Sequence, residues 1–186
     1  MASPAPSTPP STPPERPVRV LFVCWGNICR SPTAEGIMRR VAEEAGLSHL
    51  IEVDSAGTSS EHAGERPDRR AIVAAHTRGL DLRGLRARRV EPADWDRFDL
   101  LLAADSLVEE RLLRLAPDAA ARTKVHRMTA FDPDAGALDE VPDPYYGGPD
   151  GFTHVYDVLE RACAGLLDHI HPPPGRRTAR GARPSL

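Results

Sequence analysis

What most limits the folds open to this chain is the stretch from Val18 to Pro32. A short, β-branched and nearly continuously apolar run, Val18-Arg19-Val20-Leu21-Phe22-Val23, gives way to Cys24-Trp25-Gly26-Asn27-Ile28-Cys29-Arg30-Ser31 and then to Pro32. A strand apolar on both faces belongs in the middle of a parallel sheet. Ser31 is placed to cap a helix with Pro32 at its first position, Glu35 in its first turn and Gly46 near its end, so a helix is expected over about 32–45.

The same alternation continues downstream. Strands are expected at Ile51 to Asp54, Leu100 to Ala104 and Val125 to Met128, and helices at Arg69 to Arg78, Ser106 to Leu115 and about 151–170. Parallel strands need crossover connections, so the pattern implies an α/β domain with helices on both faces of a parallel sheet. Ligands of such sheets bind at the carboxyl ends of the strands, where the loop after the first strand lies. A polar segment of about 20 residues between the fourth strand and the last helix is long for a compact domain, and such loops are often functional.

The 186 residues fit one domain, with 40% hydrophobic and 27% charged residues. Residues 1–17 hold seven prolines among Ser, Thr and Ala, and 172–186 carry four arginines without apolar periodicity. These are expected to be a disordered extension and a flexible basic tail around a folded body at 18–171. A net charge of −3 gives no global attraction to nucleic acid or an anionic membrane. No apolar run is long enough for a membrane helix or a signal-peptide core, and three cysteines suit a reducing compartment, so the expected location is cytoplasmic.

The chemistry is concentrated between Cys24 and Arg30. A short loop curling into a helix N-terminus turns backbone N–H groups inward and adds the helix dipole, which together hold a tetrahedral oxyanion. Gly26 and Asn27 tolerate the positive φ that such curling requires. Arg30 can offer two parallel donors to two oxygens of that anion. A thiol beside this positive potential is expected to be largely thiolate, which makes Cys24 a nucleophile able to form a phosphocysteine without a metal or cofactor. The histidines show no metal-ligand spacing that singles out a site. A proton donor for the leaving group can lie far away in sequence, and Asp143, 119 residues downstream in Val141-Pro142-Asp143-Pro144-Tyr145-Tyr146, is stiffened by prolines on both sides. From residue types alone, Asp143 could equally be a turn starter.

Val23-Cys24-x-Gly26-Asn27-Ile28-Cys29-Arg30-Ser31-Pro32 resembles the signature of the low-molecular-weight protein tyrosine phosphatases, bacterial type. The resemblance covers about residues 18–170 and implies a four-stranded parallel sheet and hydrolysis of phosphotyrosine in protein substrates. It also implies that Ser31 supports the Cys24 thiolate, Asn27 shapes the loop, Asp143 is the general acid, and Tyr145 and Tyr146 wall the slot. Ser55, in Asp54-Ser55-Ala56-Gly57, would join the hydrogen bonds beneath the loop, and Cys29 would form a protective reversible disulfide with Cys24. With Trp25, Gly26 and Ile28, these residues make up the expected substrate site. A deep aromatic slot favours phosphotyrosine over the shorter phosphoserine. Asp105 could cap its helix or support the site. The expected state is a monomer with at most weak self-association.

Three places depart from the family pattern, Arg78 among them: Trp25 stands where smaller apolar residues are frequent, and Ser60-Glu61-His62 occupies a rim where an aromatic residue is common. Arg78 replaces a frequent histidine. Related arsenate reductases need further cysteines near the site, whereas the third here, Cys163, is expected in the last helix, where it reads as a structural thiol. Related arginine phosphatases tend to have threonine where Ile28 stands. A phosphotyrosine-binding module without catalysis would be expected to have lost the thiol, the arginine or the acid.

Overall fold

A computed structural model of the chain describes residues 16–135 and 140–172. Of the two tails expected from composition, all but Arg16, Pro17 and Pro172 lie outside the described residues.

Four strands, β1 (Val18–Cys24), β2 (Ile51–Gly57), β3 (Leu100–Ala103) and β4 (Val125–Arg127), form one parallel sheet in the order β2-β1-β3-β4. Successive side chains of β1 point to opposite faces, and from Val20 to Cys24 all are buried. Val20, Phe22 and Cys24 enter a core shared with α1 (Arg30–Glu44) and α6 (Pro149–Ile170), through Ile37, Met38, Val158 and Leu159. Leu21 and Val23 enter a second core with Trp95 and Phe98 around α3 (Asp94–Arg97) and with Val108 and Leu112 of α4 (Ser106–Leu115). Helix α2 (Arg69–His76) packs near α6, and the short α5 (Ala119–Arg122) precedes β4.

The chain leaves β1 for β2 on one side and then crosses to β3 on the other. The direction of winding therefore reverses between β1 and β3, and a crevice opens at their carboxyl ends. The Cys24 loop and Asp105 both emerge there. Among the described residues, no helix is long and apolar enough to cross a membrane.

Four local expectations are corrected. Helix α1 begins at Arg30, with Cys29 in the capping position and no side-chain cap, so Ser31 is not the cap. Its hydroxyl is drawn instead to the sulfur of Cys24, 3.0 Å away. Pro32 is therefore the third helical residue, still within the turn whose N–H groups lack helical partners. Glu35 lies beyond the first turn and bonds across to Ser55. The end of α1 is as expected: Gly46, at φ 71°, occupies the left-handed position after the C-cap. Strand β2 runs on to Gly57, because β1 continues to pair with it through Cys24↔Gly57.

Candidate active site

The backbone between β1 and α1 is held from outside. The carbonyls of Cys24, Trp25 and Ile28 accept from the N–H groups of Thr58, Ser59 and Asp68, and that of Cys29 accepts from the Thr33 hydroxyl. The N–H groups of Trp25, Gly26, Ile28, Cys29, Arg30 and Ser31 have no acceptor among the described residues, whereas that of Asn27 donates to Cys24 Sγ at 3.3 Å. Unsatisfied N–H groups in one short loop at a helix start form a concave donor surface suited to an anion.

Asn27 holds the loop in shape. Its φ of 56° puts it in the left-handed region, the turn that curls the loop. Positive φ was expected at Gly26 as well, but it occurs at Asn27 and not at Gly26. A Cβ at 26 would lie 2.9 Å from Cδ2 of His62, so the imidazole of this partly exposed rim residue would have to turn aside.

The polarity of the network beneath the loop follows from one backbone donor. Arg88 N–H can only donate, and it points at Asn27 Oδ1 (2.9 Å), which fixes the amide orientation. Asn27 Nδ2 then donates to both Ser31 Oγ and Ser55 Oγ (2.9 Å each). The Ser55 hydroxyl in turn donates to Glu35 Oε2 (2.6 Å), and the same carboxylate accepts from Arg39. With Asn27 as its donor, the Ser31 hydroxyl has its own proton to give to one of two acceptors, the Cys24 sulfur at 3.0 Å and the Ala56 carbonyl at 3.2 Å, and a thiolate, being charged, is the stronger of the two.

Arg30 is 3% exposed and sits between two carboxylates. One terminal nitrogen donates to Asp105 (2.6 Å) and to the Val141 carbonyl (3.1 Å), and the other to Asp143 (3.0 Å). Burial opposes its charge, but the Cys24 sulfur and the two carboxylates outweigh this and push its pKa up. Asp105 does both things that its position suggested. It caps α4 through Val108 N–H and pairs with Arg30.

The Asp143 segment is anchored at both ends. Val141 is fully buried, and its N–H donates to the Ala104 carbonyl at the end of β3. On the far side Arg70 pairs with Asp68, the cap of α2, stacks over Tyr145 and Phe152, and donates to Gly147 O.

Of the predicted residues, Cys24, Trp25, Gly26, Ile28, Cys29, Arg30, Asp143, Tyr145 and Tyr146 line one cavity of about 350 Å³, together with Glu61 and His62. Asn27, Ser31 and Ser55 lie beneath it. Tyr146 is 95% exposed, so Tyr145 forms more of the wall. Cys29 packs with Ala71, Ala87 and Phe152, and burial, reinforced by Asp68 and Cys24, pushes its thiol well up. Cys163 is buried in α6, as expected. Glu35, Arg70 and Arg88 were missed, because no residue pattern announces partners joined only by the fold.

A family model described as low molecular weight phosphotyrosine protein phosphatase matches residues 19–173. The chain belongs to that family. It is 47% identical over 152 residues to the low molecular weight protein-tyrosine-phosphatase of Streptomyces coelicolor, covering 80% of this chain and 91% of that one. It is 37% identical over 155 residues to YfkJ of Bacillus subtilis, named likewise, covering 82% and 96%. The crystal structure of YfkJ superposes with a TM-score of 0.77, covering 83% of this chain and 94% of that one. A protein tyrosine phosphatase of Entamoeba histolytica, crystallised with Hepes in its active site, gives a TM-score of 0.77 at 39% identity and covers 81% and 94%. Phosphatases of this family act through a phosphocysteine, which turns attention to the loop that carries Cys24.

Proposed function

We propose that this phosphatase hydrolyses phosphotyrosine in proteins, with Cys24 as nucleophile, Arg30 and the loop amides as the phosphate cradle, and Asp143 as general acid. The observation that carries this reading is the set of six N–H groups without an acceptor among the described residues in the short loop that begins at buried Cys24, whose sulfur lies 3.0 Å from Ser31 Oγ and 3.3 Å from Asn27 N.

In the empty site Arg30 bonds both Asp105 and Asp143. An entering phosphoryl group takes the Arg30 donors that face it, which frees Asp143. Asp105 and Val141 O keep the buried guanidinium oriented for two-point contact. The Cys24 thiolate attacks phosphorus in line, and the loop amides take up the charge on the equatorial oxygens. Asp143, when protonated, gives its proton to the departing phenolate oxygen. As a carboxylate it then takes a proton from the water that hydrolyses the phosphocysteine. Tyr145 and Trp25, which line the same cavity, make it a slot suited to a ring on a long stem, which supports tyrosine over serine as substrate.

Cys29 lines the same cavity, which supports a reversible disulfide with Cys24. With its own thiol buried and protonated, Cys29 would act only once a peroxide had oxidised Cys24 to a sulfenic acid, its sulfur attacking the Cys24 sulfur and the hydroxyl leaving with the thiol proton as water. Cytoplasmic residence and a monomeric state are part of the same proposal. The test is p-nitrophenyl phosphate hydrolysis by wild type and Cys24→Ser. Turnover should vanish in the variant, and full activity there would end the nucleophile assignment.

A further inference from the structure

We infer that Arg111, stacked on Trp25, makes the enzyme prefer phosphotyrosine flanked by an acidic side chain. This deepens the active-site reading above and rests on it.

Trp25, the residue that departs from the family signature, lines the cavity while remaining 42% exposed. Its ring is covered by the guanidinium of Arg111, 4.1 Å from the ring centroid. Arg111 lies on the outer surface of α4, the helix whose cap, Asp105, binds Arg30. The two carboxylates beside it on that helix are already engaged, Glu109 with Arg127 and Glu110 with Arg114. Among the described residues Arg111 has no ion pair and no hydrogen bond, and its guanidinium lies over the Trp25 indole.

That combination is informative. A guanidinium held over an aromatic ring through its central carbon has lost much of its rotational freedom while its N–H donors stay uncommitted. It is therefore preorganised for a planar, two-point acceptor, and a carboxylate is the peptide side-chain group of that shape. When the phosphotyrosine ring enters beside Trp25, the flanking residues of the substrate must cross the mouth of the cavity, and one of them passes over the Trp25–Arg111 stack. Glu61, on the loop after β2, also lines the mouth and has no cationic partner among the described residues. The mouth thus carries opposite charges on two different elements, which gives a charged peptide a direction.

The experiment compares phosphotyrosine peptides with a neutral host sequence and peptides with glutamate placed singly at each of the three positions on either side. The readout is the ratio of kcat/KM for the acidic and the neutral peptide within one enzyme, so that a general loss of activity cancels. Wild type should favour glutamate at one or more positions by about fivefold, the scale of a single partly exposed ion pair. The preference should weaken with added salt. Arg111→Gln should bring the ratio to about one, and Arg111→Glu should invert it. A ratio near one in wild type, or a preference that survives unchanged in Arg111→Gln, would overturn the inference while leaving the catalytic assignment intact. Failure to hydrolyse any of the peptides would overturn both.

Discussion

Asn27 shows how much one residue can carry. Its left-handed backbone makes the turn of the loop, its N–H meets the sulfur, and its amide sets the direction of every hydrogen bond between Arg88 and Glu35. None of those long-range partners is visible in sequence, since Arg88 lies 61 positions away. Cys24 and Arg30 were legible because the cysteine, the turn and the helix start are contiguous. Asp143 became legible only through resemblance, and its contact with Arg30 spans 113 positions. Ser31 was read as a helix cap from its place before Pro32 and as a support for the Cys24 sulfur from the resemblance; the cap fails, and the hydroxyl lies 3.0 Å from the sulfur. Asp143→Ala should lower kcat on a phosphotyrosine peptide by about 100-fold or more, the usual worth of a general acid, and leave the inhibition constant of inorganic phosphate within a few-fold. Unchanged turnover would remove its role.

At the scale of elements, the site is a joint between β1, β2 and β3. Gly57 ends β2 directly beside the loop. A Cβ at this position would lie 2.6 Å from the Trp25 carbonyl oxygen and 3.1 Å from Asn27 N, both backbone atoms of the loop. Gly57→Ala should therefore displace the loop, with a loss in kcat/KM on the order of 100-fold, as expected for a misplacement of about 1 Å. Circular dichroism should show the fold retained, and wild-type kinetics in this variant would mean that the loop does not depend on β2. The parallel strands and the principal helices were legible from their periodicity. The short helices α3 and α5 were not, since four residues carry too little pattern, and β2 was read three residues short because its last residues, Ser55 to Gly57, are small rather than β-branched.

For the molecule as a whole, the reversal of winding between β1 and β3 places the loop, the Asp105 cap and the Asp143 segment around one crevice, with the Arg30 guanidinium linking them. An anion that replaces part of this network binds only the folded state, so inorganic phosphate should raise thermal stability. At 100 times its Kd the gain should be about 2.7 kcal/mol, seen as a rise in Tm by calorimetry. Arg30→Ala should abolish the rise, and a rise of equal size in that variant would place the anion elsewhere.

The central claim, that Cys24 carries the phosphoryl group during turnover, is tested most directly by acid-quenching the enzyme within its first turnovers of a phosphotyrosine substrate and mapping the adduct by peptide mass spectrometry. The account predicts a phosphate-mass addition on the peptide containing Cys24, absent from Cys24→Ser. A phosphate adduct on any other residue, or steady turnover by Cys24→Ser, would contradict it.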